Sequence, residues 1–352
     1  MAEKLARRAL IAAIQGAPPP DIDWTLLISE ANRTLTTGTM AERLLQGGHP
    51  LPDDVRAFLK VILDRSVERN QRLRHQLSET LACLNEAAIR PILMKGMAAL
   101  LTISGDRLRG RILSDLDLMV SASDFARSVD CLRAIGYAPD PGSGDGRTSA
   151  VVFRTRDVGM LDIHCRMKGP GLQPDYARLA PECTEVTVGE GIALLPSATA
   201  QFWMLVRHDQ IQDRDYWRGL IDLRHLIDMD MLARTPQGID WQKLASWFPP
   251  GFARSALRTQ LLAAQDLLGV AIPPVWLGDR WPRFQHRRRM LQARWPFLMA
   301  PLTLLTLICD PPTRGPSEDE EPAHPAAAPP GRLALARAGL RRFGRPRAAG
   351  KL

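Results

Sequence analysis

Two aspartates, Asp115 and Asp117, interrupt the apolar run LSDLDLMV at residues 113 to 120. On a strand, side chains two residues apart share a face, so this pair presents two carboxylates side by side while Leu116, Leu118 and Val120 turn toward the core. Adjacent like charges repel, and one of them resists ionising unless a cation lies close by. A divalent ion such as Mg²⁺ removes that penalty, because it takes hard oxygen ligands and borrows one or two carboxylates plus substrate phosphates. Three further D-x-D pairs occur, Asp21/Asp23, Asp213/Asp215 and Asp228/Asp230. They fall at a helix start or on polar faces of helical segments, where residues i and i+2 do not face each other, and read as solvated acids.

Other residues fit the same chemistry. Asp162, in the apolar segment MLDIH, lies on a strand able to join the same sheet. Three acids from two strands can hold a metal ion and activate a hydroxyl. His164 shares the face of Asp162 and reads either as its orienting partner or as a structural histidine. Upstream, Lys95 and Gly96 stand where a strand gives way to a helix. A glycine there lets backbone amides approach a phosphate, and the helix start adds partial positive charge. Arg107, Arg109 and Arg111 precede the acidic strand, and a guanidinium matches phosphate oxygens two at a time. The competing readings are a solvated lysine for Lys95 and a salt bridge to Asp115 for Arg111.

The elements that must position these residues are legible in the hydrophobic spacing. Residues 1 to 87 read as a helical arm, with Asp53 as N-cap of a long helix carrying Val55, Leu59, Ile62, Val67, Leu73, Leu77 and Leu81 at helical intervals. Residues 88 to 170 change texture: a short strand at PILM, a helix at MAALLTI, the acidic strand, a helix from about Ser123 to Gly136, a loop at residues 140 to 147, and two strands joined as a hairpin near Asp157. Residues 171 to 310 read as a helical domain with Trp203, Trp217, Trp241 and Trp247 as core anchors. Residues 311 to 352, rich in Pro and Ala and then basic, read as disordered.

Bulk properties exclude several classes. The net charge of +8 resides mainly in residues 331 to 352, whose six arginines and Lys351 face no acid; the remainder carries +1. A near-neutral body argues against a long nucleic acid as substrate and leaves the basic segment as a docking element for a protein partner. Five scattered cysteines without C-x-x-C suggest neither a disulfide framework nor a cysteine zinc site, and fit the cytoplasm. No secretory segment is expected, and the apolar run at residues 295 to 309 is short of the roughly 20 residues that span a bilayer.

Lys95-Gly96, then Arg111-Ile-Leu-Ser-Asp115-Leu-Asp117, then Leu161-Asp162-Ile-His164 resemble, in order and spacing, the bacterial uncharacterised nucleotidyltransferase family of the polymerase β type nucleotidyltransferase superfamily. The resemblance covers about residues 60 to 245, with His208 and Asp222 resembling the helical region that follows. It implies an α+β fold, with a small mixed β-sheet core, helices on one face, an N-terminal helical arm and a C-terminal all-helical domain. It also implies Mg²⁺, an NTP co-substrate with ATP foremost, and transfer of a nucleoside monophosphate to an acceptor that is a small molecule or a protein. Asp115, Asp117 and Asp162 would hold metal and activate the acceptor; Lys95, Gly96 and Arg111 would hold the nucleotide. Broader members of the superfamily carry Gly-Ser at the phosphate turn, whereas Met97 follows Lys95-Gly96 here. The rival reading is a non-catalytic protein of the same fold, a partner of a toxin or biosynthetic enzyme.

Overall fold

The computed structural model describes residues 2 to 102, 110 to 144, 146 to 167, 175 to 311 and 350 to 351. Arg107, Arg109 and nearly all of the segment from 312 onward, including its expected disorder, lie outside the described residues. The chain divides into two units, the first built mainly from residues up to Met204, the second from Leu205–Asp230 and the chain from Asp240 onward.

The first unit opens with four helices, α1 (Ala2–Ile14), α2 (Trp24–Arg33), α3 (Thr37–Gln46) and α4 (Asp53–Glu86). Pro52, not Asp53, is the N-cap of α4; Asp53 and Asp54 occupy its first turn, where negative charge complements the helix dipole. There follow β1 (Ile92–Leu93), α5 (Lys95–Thr102), β2 (Asp115–Met119), α6 (Phe125–Ala134), β3 (Ala138–Gly144), β4 (Ser149–Phe153), β5 (Met160–His164), α7 (Tyr176–Leu179), β6 (Cys183–Val188), β7 (Gly191–Pro196) and α8 (Ala198–Val206). Among the described residues the strands form one mixed sheet of order β3-β4-β5-β2-β1-β7-β6. The β2–β5 and β1–β7 pairs are parallel and the others antiparallel. The architecture is α+β.

Helix α4 is the spine. Leu73, Leu77, Leu81 and Leu84, spaced at four, four and three residues, are fully buried against Leu116, Leu118, Leu161 and Ile163 of the two central strands and against α6. Its buried polar residues grip backbone. Asn70 donates to the Arg111 carbonyl at 3.0 Å, and Arg69 to the Leu113 carbonyl at 2.9 Å. Gln76 donates to the Gly159 carbonyl at 2.8 Å and accepts from the Gly159 amide at 3.3 Å. Asn85 does the same with Ile192, at 3.0 and 2.6 Å. One helix therefore fixes the starts of β2, β5 and β7. Helix α3 adds a second hold on the approach to β2: a Cβ at Gly38 would stand 2.2 Å from the Gly110 carbonyl oxygen, and Glu42 accepts from the Gly110 amide at 3.0 Å.

Two expectations about the strands need correction. Residues 140 to 144 are not loop but part of β3, an edge strand whose register shifts between Pro139 and Gly144, and an edge is where a sheet tolerates proline. The region from 171 is not wholly helical, because β6 and β7 extend the sheet beyond β1. The alternating TEVTV and the GEG turn carry that signal.

The second unit is helical. A π-helical turn (Arg207–Gln212) precedes α9 (Asp215–Arg218), and α10 (Leu223–Ala233), α11 (Trp241–Ser246), α12 (Phe252–Leu268), α13 (Arg280–Arg294) and α14 (Met299–Cys309) follow. Trp217 is fully buried, in keeping with a core anchor. Arg288, also buried, donates to the Tyr216 and Trp217 carbonyls. Asp213 and Asp215 are not solvated helix-face acids. Arg214 between them is left-handed (φ 64°), which turns both carboxylates onto Lys351 at 2.7 and 2.5 Å. No helix among the described residues is long and apolar enough to cross a membrane.

Leu77→Ala should destabilise the protein by about 2–5 kcal/mol in urea unfolding, the range for emptying a leucine site in a packed core. A pH effect should also attach to α4. Glu79 accepts from Arg154 at 2.6 Å, and that bond above all holds its carboxyl below the ordinary range against the opposing effect of burial. A lowered folded pKa stabilises above the unfolded value and ceases to do so as pH falls through the folded one. Unfolding midpoints should therefore drop on acidification, and less steeply in Glu79→Gln.

Candidate active site

Parallel pairing of β2 with β5 sets Asp117 opposite Asp162 and Met119 opposite His164. Partners in a parallel ladder point the same way, so Asp115, Asp117, Asp162 and His164 share one face, while Leu116, Leu118, Leu161 and Ile163 supply the buried opposite face. One oxygen each of Asp117 and Asp162 and one nitrogen of His164 lie within 4.8 Å of one another. Asp115 sits at the start of β2, half-buried, its carboxylate accepting from Ser114 Oγ at 2.7 Å. All three acids lie on that face, but the group whose ligand atoms fall within 4.8 Å of one another is Asp117, Asp162 and His164, without Asp115.

Antiparallel pairing of β1 with β2 ends with the Met94 amide donating to the Asp117 carbonyl at 3.0 Å, and the next residue is Lys95. Lys95 adopts a left-handed conformation, φ 49°, which costs a non-glycine residue of order 1–3 kcal/mol. The turn directs its ammonium onto Asp117 Oδ1 at 2.5 Å. A Cβ at Gly96 would lie 2.5 Å from Leu113 Cδ2 and 3.3 Å from both Arg111 Nη atoms, so glycine is what allows the Arg111 guanidinium to lie against this turn. Arg111 is buried and donates from Nη1 to the Ile112 carbonyl at 3.0 Å. Gly96 and Arg111 are therefore neighbours, and the Lys95 ammonium holds a carboxylate.

The electrostatics follow from this crowding. Burial opposes the charge on Asp117, yet Lys95 and His164 together keep its carboxyl well below the usual range. Burial likewise opposes the charged Lys95, and Asp117 outweighs it, raising the amine above the ordinary lysine range. Asp115 is shifted the other way: burial and then the Asp117 charge push it upward. Burial lowers His164, but the carboxylates of Asp117 and Asp162 dominate and push it up to about 9. Its Nε2 lies 3.0 Å from Asp162 and 3.4 Å from Asp117 but is aligned with neither as a hydrogen bond, and is buried.

The spacing of acids in the sequence did not reveal the Lys95–Asp117 pair, nor the part played by Arg69, Asn70 and Gln76 in seating the strands that carry them. A signal existed for two of these: Asn70 and Gln76 are polar residues buried in the apolar stripe of α4, which costs free energy unless each finds partners.

No curated protein matches the chain. Among solved structures it is similar to the antibiotic-resistance factor ANT(2'')-Ia, known from a solution structure, at 15% identity over 56% of this chain and 96% of that one, with a TM-score of 0.37. A family model described as "Uncharacterised nucleotidyltransferase" matches residues 20–269. That span covers well over half of the sequence and takes in the acidic strand, its partner and the Lys95-Gly96 turn, and the chain belongs to the uncharacterised nucleotidyltransferase family.

Proposed function

We propose that this protein transfers a nucleoside monophosphate from an NTP, ATP foremost, to an acceptor hydroxyl, with Mg²⁺ held by Asp115, Asp117 and Asp162 in a site of the polymerase β type. The observation that carries the reading is the register that sets Asp117 beside Asp162 with a cation, the Lys95 ammonium, already drawn onto Asp117. The donors fit the ion: Asp117 and Asp162 present carboxylate oxygens within 4.8 Å of each other on paired strands, and Asp115 lies on the same face. Bound there, Mg²⁺ would polarise the phosphoryl oxygens and neutralise charge developing on them.

The chain's own groups would do the rest. Lys95 exchanges Asp117 for the triphosphate as the nucleotide arrives, a point charge standing where broader relatives of the superfamily use a serine hydroxyl. Gly96 lets the phosphates approach backbone amides, and Arg111 lies against that turn to meet them. Asp162 accepts the proton of the acceptor hydroxyl as it attacks the α-phosphorus in line and pyrophosphate leaves. The near-neutral body favours a small molecule or a protein as acceptor.

Label from α-³²P NTPs should pass, with Mg²⁺, to a hydroxyl acceptor from a panel of sugars, nucleosides and seryl peptides, with matching pyrophosphate release. Asp117→Ala should lower the rate at least about a hundredfold, the size expected when a charge-stabilising group is removed from a transition state. Nucleotide binding with no turnover on any acceptor would favour instead a non-catalytic partner protein. Lys95→Ala should raise the KM for nucleotide roughly tenfold, as for loss of one charge-assisted contact. An unchanged KM would remove Lys95 from the phosphate site.

A further inference from the structure

The second unit carries another convergence of ligating side chains. Around the π-helical turn, His208 Nδ1 lies 3.3 Å from Asp209 Oδ1, and His225 Nδ1, from α10, lies 2.7 Å from the same oxygen. The two imidazole rings meet edge to face with centroids 5.7 Å apart. One donor atom from each of the three residues falls within 4.8 Å of the others. Asp209 is the hub: its oxygens, with those of Asp213 and Asp215, form a second set within the same limit.

Hydrogen bonding leaves this hub incomplete. Asp209 is fully buried, both histidines address Oδ1, and Oδ2 has no partner; Oδ1 of Asp215, equally buried, has none either. A buried acceptor without a donor costs on the order of 1–3 kcal/mol, and more when charged. Lys351 neutralises Asp213 and Asp215 through Oδ2 of each, so that wing already holds a cation. His208 Nε2 stands 3.9 Å from Asp213 Oδ1, too far for a hydrogen bond but within the span of two ligands on one ion. The π-helical turn produces this geometry, since its wider coil brings residues five apart, His208 and Asp213, onto one side; the Asp213 amide donates to the His208 carbonyl at 2.8 Å.

We infer that His208, Asp209 and His225 form a binding site for a borderline divalent cation, Zn²⁺, which clamps the π-helical turn to α10. Two imidazoles and a carboxylate select such an ion over Mg²⁺, which prefers oxygen ligands throughout. Two of the three ligands are buried, and three protein ligands leave the fourth position of a tetrahedral ion open. The site is chemically distinct from the aspartates of the first unit and does not depend on the catalytic reading.

The test uses the full chain, stripped with chelator and reloaded with Zn²⁺ or Co²⁺. Zinc content by mass spectrometry and the visible spectrum of bound Co²⁺ are compared among wild type, His208→Gln/His225→Gln and Asp117→Ala/Asp162→Ala. One tightly held ion per chain, with strong visible bands, should persist in the aspartate variant and vanish in the histidine variant. No uptake by wild type, uptake unchanged in the histidine variant, or loss confined to the aspartate variant would overturn the assignment. Should the histidine variant not fold, Cu²⁺-loaded Asp117→Ala/Asp162→Ala protein decides the matter by pulsed electron paramagnetic resonance: two imidazole couplings support the site, and their absence refutes it.

Discussion

Everything at the candidate active site depends on one pairing, the parallel register that places Asp117 next to Asp162. Carboxylates with oxygens within 4.8 Å of each other repel by roughly 3 kcal/mol at an effective dielectric near 20. A fold keeps such a pair only if something positive is supplied. Here the supply is local: the Lys95 ammonium and the His164 imidazole reach the same carboxylates. The attraction between Lys95 and Asp117 at 2.5 Å works against both the burial of the two charges and the left-handed backbone of Lys95. The strained residue is thus where the electrostatics need a charge delivered over the end of β1.

The second dependence is on α4. Strands β2 and β5 are short, and a slip of one residue would turn every carboxylate into the core and every leucine out of it. Leu73, Leu77, Leu81 and Leu84 oppose such a slip by burial, and Arg69, Asn70 and Gln76 oppose it by holding the backbone just ahead of each strand. The N-terminal helices are accordingly part of the machinery that aims the acids, not an appendage to it.

The alternation of Asp115 and Asp117 with leucines was enough to place both on one face, and the apolar flanks of Asp162 were enough to put it on a strand. Period-two patterning records burial directly, so these residues were legible. What the sequence did not disclose was contact that depends on register between distant segments. The Lys95–Asp117 pair needs the β1–β2 pairing and a left-handed turn, and neither leaves a periodic trace. Asp213 and Asp215 were misread for a related reason: helical spacing assigned them to a solvated face, but the π-helical turn and the left-handed Arg214 break that spacing and bury Asp215 against Lys351. The β6–β7 hairpin leaves only a short trace, the TEVTV alternation and the GEG turn, within a region that is otherwise helical.

Crystals grown with Mn²⁺ and a non-hydrolysable NTP analogue give the most direct measurement, since the anomalous signal of manganese locates the ion without reference to catalysis. A peak within coordination distance of Asp117 and Asp162, with the Lys95 ammonium moved from Asp117 to the phosphates, is the predicted result. A nucleotide bound elsewhere, or no manganese at these carboxylates with the Lys95–Asp117 pair intact, would contradict it.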